Sequence, residues 1–130
     1  MITVRAIDHI NFQVKNLKET IEFYQTVFGF KVKETGETDN GPWAIFGSPE
    51  AGYFCAYEYP ELEMPDEGLR ISHFGLYVDD FESLMEKLRD LGVNILYGGA
   101  VDWGKSNSIY ITDPSGWEIE LAEQFGGGLD

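Results

Sequence analysis

One stretch of this chain occurs twice, in related forms that begin 64 residues apart. The first copy is IDHINFQV, residues 7–14, and the second is ISHFGLYV, residues 71–78. In both copies, apolar residues alternate with a second set that includes a histidine, and this period of two is that of a strand with two different faces. The sequence therefore predicts two related halves, each of which begins with a histidine-bearing strand.

Both halves continue with a helix and three further strands. In the first half, Asn16 and Glu19 form a capping box, apolar residues at helical spacing run to Phe28, and Gly29 ends the helix. In the second half, a helix follows a cap at Asp79 or Asp80 and ends at Gly92. Strands are predicted at residues 30–35, 42–46, 52–59, 70–78, 93–97, 106–112 and 117–122.

A βαβββ unit covers only one face of its sheet with its helix, so the other face needs a partner sheet. The predicted fold is therefore of the α+β class: two βαβββ modules that form a curved, eight-stranded, cup-like open barrel with the helices outside. We expect one domain over residues 1–130. Its predicted parts are a first module at about 5–59, a linker at 60–68, a second module at about 69–123 and a flexible tail at 124–130.

Charge and hydropathy exclude several kinds of partner. Nine basic residues against 23 acidic ones give a formal net charge of −14, which repels both nucleic acids and anionic membrane surfaces. No apolar run approaches the ~18 residues needed to span a bilayer, and no signal peptide pattern is present, so a cytoplasmic protein is expected. The single cysteine, Cys55, lies in an apolar strand and is interpreted as a packing residue.

Four stretches of the chain resemble the vicinal oxygen chelate superfamily, over about residues 5–123. These stretches are IDHINFQV, FYQTVFGFKV, ISHFGLYVDD and YITDPSGWEIEL. The superfamily includes glyoxalase I, extradiol dioxygenases, methylmalonyl-CoA epimerase, fosfomycin-resistance proteins and bleomycin-binding proteins. The resemblance implies a small-molecule substrate, a homodimer and one divalent ion per site, with Ni, Co, Zn, Mn and Fe(II) as the candidate metals.

Strand parity selects the side chains that can face the predicted cavity. His9, Asn11 and Gln13 of the first strand, His73 and Tyr77 of the fifth, and Glu118 and Glu120 of the last lie opposite the apolar sets. The resemblance then implies that His9, His73 and Glu120 bind the metal. A glyoxalase would add a glutamate from the fourth strand. Counting back 64 residues from Glu120 gives Ala56, so Glu58, two residues further on, is the candidate if the turn at 47–52 shortens that offset.

Three functions fit these residues. With Glu58 as a ligand, the resemblance implies a glyoxalase-like lyase or isomerase, in which the metal acts as a Lewis acid and Glu58 or Glu120 transfers a proton. Gln13, however, stands where bacterial glyoxalases carry an arginine that contacts glutathione. Without Glu58, the two-histidine, one-carboxylate set resembles an extradiol dioxygenase with iron(II), and Tyr110 matches that signature although its upstream histidine is missing.

The third function is non-catalytic binding of a small molecule, as in bleomycin resistance, so the sequence leaves the choice between enzyme and binding protein open. In each case the cavity is expected to be amphipathic. Asn11, Gln13, Tyr77 and Trp103 are the candidate substrate contacts, and Lys105 is one of the few cations available to hold an anionic group.

Overall fold

The computed structural model describes residues 1–65, 68 and 70–128 and divides the chain into two compact units, Met1–Glu63 and Met64–Asp130. Each unit contains a strand, a helix and three further strands, which form one four-stranded mixed sheet. The predicted α+β class with two βαβββ modules is therefore confirmed. Residues 66, 67 and 69 of the predicted linker and residues 129 and 130 of the predicted tail lie outside the described residues.

The first unit has its four strands in the order β1-β4-β3-β2. Strands β1 and β4 are parallel, whereas the β4–β3 and β3–β2 pairs are antiparallel. The bounds of its elements are β1 His9–Val14, α1 Leu17–Phe28, β2 Lys31–Thr38, β3 Gly41–Ser48 and β4 Gly52–Glu58.

Helix α1 begins and ends where the sequence predicts. The side chain of Asn16 accepts a hydrogen bond from Glu19 N at 2.9 Å, and Gly29 ends the helix at a φ of 69°. Tyr24, the central residue of its inner face, is fully buried and packs against Phe12, Phe46 and Phe54 with ring centroids 5.0 to 6.3 Å away. This aromatic cluster covers one face of the first sheet, so the histidine of β1 belongs to the opposite face.

The second unit repeats the arrangement with the order β5-β8-β7-β6 and a parallel β5–β8 pair. Its elements are β5 His73–Tyr77, a 3₁₀ turn Phe81–Ser83, α2 Leu84–Asp90, β6 Val101–Asp102, β7 Asn107–Thr112 and β8 Glu118–Ala122. Five apolar side chains fill its core: Leu88, Ile109, Ile111, Ile119 and Leu121. Within the described part of the chain, no helix has the length and apolar character needed to cross a bilayer.

The predicted strand at residues 93–97 is wrong. Only Ile95 forms a bridge there, with Ile111, and the chain then enters a turn in which Gly99 N donates to Leu96 O at 3.2 Å. Tyr97, Gly98 and Gly99 all have positive φ values in this turn, which an extended strand does not allow. The edge of the second sheet is instead the two-residue strand β6.

Candidate functional site

Four polar side chains share the face of the second sheet that lies opposite its apolar core. The parallel register pairs His73 with Glu118 and Gly75 with Glu120, and the antiparallel register pairs Tyr110 with Glu120. Ile119 and Leu121, which alternate with these glutamates, are fully buried on the core face. Because directly paired residues point to the same side of a sheet, His73, Glu118, Glu120 and Tyr110 lie on one surface.

His73 and Glu120 form the centre of this surface. Nε2 of His73 lies 3.0 Å from Oε2 of Glu120, and Oε1 of Glu120 accepts a hydrogen bond from Ser108 Oγ at 2.6 Å. On the other side of the ring, Nδ1 is 3.5 Å from Oε2 of Glu118 and 3.3 Å from Oγ of Ser72. The imidazole is therefore held between two carboxylates, one at each nitrogen.

Two tyrosines border the histidine. The ring of Tyr110 meets His73 edge-on with centroids 5.6 Å apart, and Tyr97 meets Tyr110 in the same way at 5.3 Å. The hydroxyl of Tyr97 donates to Oε1 of Glu118. Burial raises the pKa of Tyr110 above its ordinary value, the charge of Glu120 adds to this, and a hydrogen bond with Trp103 opposes it. The hydrogen bond to Glu118 is the main cause of the raised pKa of Tyr97.

The remaining predicted residues of the second unit lie around this surface. Tyr77 is exposed on β5 and packs edge-on against Phe125, with centroids 6.0 Å apart. Trp103 is also largely exposed, and it reaches the cluster through its hydrogen bond with Tyr110. Lys105 is exposed on the loop between β6 and β7.

In the first unit, the corresponding face of the sheet carries the histidine of β1. The side chain of His9 is 53% exposed, and its Nδ1 lies 2.7 Å from Oδ2 of Asp8. Asn11 and Gln13 are exposed on the same side of β1. This side also carries three residues of β4, each in register with one of these β1 residues: Tyr53, Cys55 and Tyr57.

The register of β4 shows that counting back 64 residues from Glu120, which gives Ala56, misses the equivalent position by one residue. Gly75 pairs with Glu120 in the second unit, whereas its repeat equivalent Asn11 pairs with Cys55 in the first. Cys55 rather than Ala56 is therefore the structural counterpart of Glu120. Periodicity reveals which residues alternate along a strand, but it does not fix the strand's alignment with its neighbour.

Glu58 lies on the other face from His9. It pairs with Val14, which is fully buried under α1, and its Oε2 accepts a hydrogen bond from Leu17 N at 2.8 Å. The expectation that the register would bring Glu58 to the position equivalent to Glu120 is therefore wrong. Its carboxylate occupies the first turn of α1, where a negative charge is favoured by the helix dipole. A role for Glu58 as a metal ligand stays a prediction, and its placement argues against it.

Two residues of the cluster were not identified from the sequence. Ser108 lies two positions before Tyr110 on β7, so period two could have placed it on the same face. Tyr97 carries no such signal because it lies in a turn. Within the described residues, no three His, Cys, Asp or Glu side chains come together as a metal-binding group. The His73–Glu120 pair supplies two adjacent donors.

The chain belongs to the Glyoxalase/Bleomycin resistance protein/Dioxygenase superfamily, whose family model matches residues 6–121. This confirms the resemblance indicated by the four sequence stretches. A metallothiol transferase FosB of Lysinibacillus sphaericus is 31% identical over 92% of this chain and 83% of its own length. The lactoylglutathione lyase GLX1 of Arabidopsis thaliana is also 31% identical over 92% of this chain, but the match covers only 44% of that protein.

The fold is shared with solved structures. The crystal structure of FosX, a genomically encoded fosfomycin resistance protein from Listeria monocytogenes, matches with a TM-score of 0.75 at 20% identity. The match covers 98% of this chain and 100% of the FosX chain.

Proposed function

We propose that this chain is a metal-dependent enzyme that transfers a thiol to a small, oxygen-bearing electrophile. The observation that carries the proposal is the His73–Glu120 pair, with Nε2 and Oε2 3.0 Å apart on a face that also carries a buried tyrosine. The likeness to a metallothiol transferase over most of both chains supports the same reaction class.

The paired donors fit a divalent ion. Imidazole nitrogen and carboxylate oxygen are common ligands of divalent ions such as zinc. Nε2 of His73 and Oε2 of Glu120 lie 3.0 Å apart on one face of the sheet, so one ion could be held by both. His73 and Glu120 would hold the ion, and the family resemblance adds His9 as the third ligand. Two histidines and one carboxylate leave coordination positions of a metal free for substrate.

An ion at this place would polarise a substrate oxygen as a Lewis acid. The protein's own groups have separate tasks. Ser108 donates to one oxygen of Glu120 and leaves the other for binding, and the buried Tyr110 phenol hydrogen-bonds with Glu120 and Trp103 beside it. Strand parity and the scarcity of cations make Asn11, Gln13, Tyr77, Trp103 and Lys105 the candidate substrate contacts, of which Lys105 supplies a positive charge.

The test uses tag-free protein loaded with Mn²⁺, Ni²⁺ or Zn²⁺, fosfomycin as the electrophile and cysteine or glutathione as the thiol. Attack of the thiolate on an epoxide carbon breaks the carbon–oxygen bond, and the released alkoxide takes up the proton of the thiol. We expect a new phosphonate resonance by phosphorus NMR and at least a hundredfold loss of rate in Glu120→Gln, which removes a charged ligand. Glu58→Gln is the matched control and should retain the wild-type rate.

Two results would contradict this function. The first is binding of less than about a tenth of an equivalent of any of the three metals, with no rise in melting temperature on their addition, since a bound ligand must stabilise the folded state. The second is a loss of rate in Glu58→Gln as large as that in Glu120→Gln.

A glyoxalase-like lyase is the second candidate, because the chain is 31% identical to a lactoylglutathione lyase. That function requires a second carboxylate, for which Glu58 was the candidate. Formation of S-lactoylglutathione by the metal-loaded protein, abolished in Glu58→Gln, would favour the lyase over the thiol transferase. We expect no such formation, since Glu58 binds the backbone of α1.

A further inference from the structure

Tyr97 adopts a backbone conformation that bulky residues rarely have. Its φ is 56°, and the following residues Gly98 and Gly99 have φ values of 75° and 120°. Glycine takes positive φ freely, whereas an aromatic residue there is a strained outlier. Strain of this kind persists where the surroundings hold it and is concentrated at functional sites. The contacts of the Tyr97 side chain are those that would hold this conformation.

That side chain reaches His73 by two routes. Its hydroxyl donates to Oε1 of Glu118, whose Oε2 lies 3.5 Å from Nδ1 of His73. Its ring packs edge-on against Tyr110, which packs edge-on against the imidazole. Glu118 and His73 are both shielded in part from solvent, with 19% and 35% of their side chains exposed. Both routes act on the same ring.

The two nitrogens of His73 have different neighbours. Nε2 lies 3.0 Å from Oε2 of Glu120, the proposed ligand, whereas Nδ1 lies 3.5 Å from the Glu118 carboxylate and 3.3 Å from the Ser72 hydroxyl. A histidine that binds a metal through one nitrogen commonly donates the hydrogen on its other nitrogen to a carboxylate, which fixes the tautomer and the ring orientation. Glu118 stands in the right place for that acceptor, and the Tyr97 hydroxyl fixes the orientation of Glu118.

We propose that Glu118 and Tyr97 are positioning residues for His73, with Glu118 accepting from Nδ1 and Tyr97 holding Glu118 in place. This inference rests on the proposed function, because it takes Nε2 of His73 as a metal donor. It also accounts for a tyrosine, rather than a third glycine, at the first positive-φ position of the turn.

The experiment measures the affinity of tag-free protein for Ni²⁺ by isothermal titration calorimetry. Loss of a carboxylate that supports a metal-binding histidine weakens metal binding by about 10- to 100-fold, and we expect this range for Glu118→Ala. Tyr97→Phe, which keeps the ring, should weaken binding by less, about 3- to 10-fold. Glu86→Ala on the exposed side of α2 and Tyr59→Phe in the first unit are the matched controls and should bind as the wild type does.

A double-mutant cycle tests whether Tyr97 acts through Glu118. In the Glu118→Ala background, Tyr97→Phe should change the Ni²⁺ affinity by less than about twofold, because residues of one network are not additive. Full additivity of the two changes would overturn the inference. Thermal melts establish that each variant is folded, and the exposed Tyr97→Phe change gives an answer even if Glu118→Ala is unstable.

The inference and the proposed function fail in different ways. If the wild type binds Ni²⁺ and both single variants bind within twofold of it, the positioning role is wrong while the metal site stands. If the wild type binds none of Ni²⁺, Mn²⁺ and Zn²⁺, the proposed function is wrong and this inference with it.

Discussion

At the scale of the residue, Glu120 shows how neighbours divide the two oxygens of one carboxylate. Oε1 is occupied by the Ser108 hydroxyl at 2.6 Å, and Oε2 is directed at His73. A carboxylate fixed at one oxygen loses little rotational freedom when the other oxygen binds a metal. Ser108 is itself almost fully buried, so its hydroxyl has little competition from water.

Replacement of Ser108 by alanine should therefore weaken metal binding by about tenfold, the lower end of the range for groups that support a ligand. Ser83→Ala, which removes a hydroxyl bound to Asp80 at the start of α2, is the control and should leave metal affinity unchanged. Calorimetric titration of both variants with Ni²⁺ checks the prediction. Equal affinities would mean that Ser108 does not orient Glu120.

Cys55 is expected to react slowly in the folded protein. Burial raises the pKa of its thiol, a hydrogen bond with Tyr57 opposes the shift, and the charge of Glu34 adds to it. The folded state therefore favours the neutral thiol, and this contribution to stability is present below the ordinary thiol pKa and is lost as the pH rises through the raised value. Less thiolate also means slower alkylation.

Iodoacetamide at pH 8, followed by mass spectrometry, checks this. We expect native protein to be alkylated at least tenfold more slowly than urea-unfolded protein, since Cys55 is only 8% exposed. A native rate equal to that of the unfolded chain would contradict the assigned environment of Cys55.

At the scale of the element, the sequence predicts those parts whose signals are local. Helix α1 is confirmed at both ends because its stop signals are single residues, Asn16 and Gly29, with known hydrogen-bonding and φ requirements. The strand at 93–97 was wrong because its apolar residues satisfy the pattern of a strand, while Ile95 alone forms a bridge, with Ile111, before the chain turns. Hydrogen-bonded pairing depends on two segments, so the pattern of one segment alone does not predict it.

The same reason explains why the site was only partly predictable. Alternation along β5 and β8 is local, and it placed His73 and Glu120 on one side of their strands. The alignment of β4 with β1 is not local, so Glu58 was counted toward the cavity although it lies on the helix side. Tyr97 depends on a turn conformation that no periodicity signals.

Glu58 is expected to matter for stability. Glu58→Gln keeps an acceptor for Leu17 N but removes the charge at the start of α1, which should cost about 0.3–1 kcal/mol of unfolding free energy. Glu58→Ala also removes the hydrogen bond and should cost about 1–2 kcal/mol. Urea unfolding measures both changes. A larger loss in Gln than in Ala would exclude a capping role.

At the scale of the whole molecule, charge limits how an anionic substrate can be held. A formal charge of −14 with nine basic residues in the chain repels anions from most of its surface. The proposed metal and Lys105 would therefore carry most of the attraction. We expect the apparent affinity for fosfomycin to improve as salt is raised from low concentration, because screening weakens the repulsion.

The homodimer implied by the family resemblance stays a prediction at this scale. Sedimentation equilibrium of the full chain at micromolar concentration should give twice the mass of one chain. Repetition after metal removal with a chelator distinguishes a dimer that depends on the metal from one that does not. A mass of one chain under both conditions would show that the assembly prediction is wrong.

The two halves of the chain are chemically unequal at one pair of equivalent positions. The second half carries Glu120 in register with its histidine-bearing strand, whereas the first half carries Cys55 at the equivalent place. Cys55→Glu would place a carboxylate in register with Asn11 in the first half, as Glu120 is in register with Gly75 in the second. This single substitution would give both halves a carboxylate at the equivalent position, and it is therefore the starting point for redesigning the chemistry of the first half.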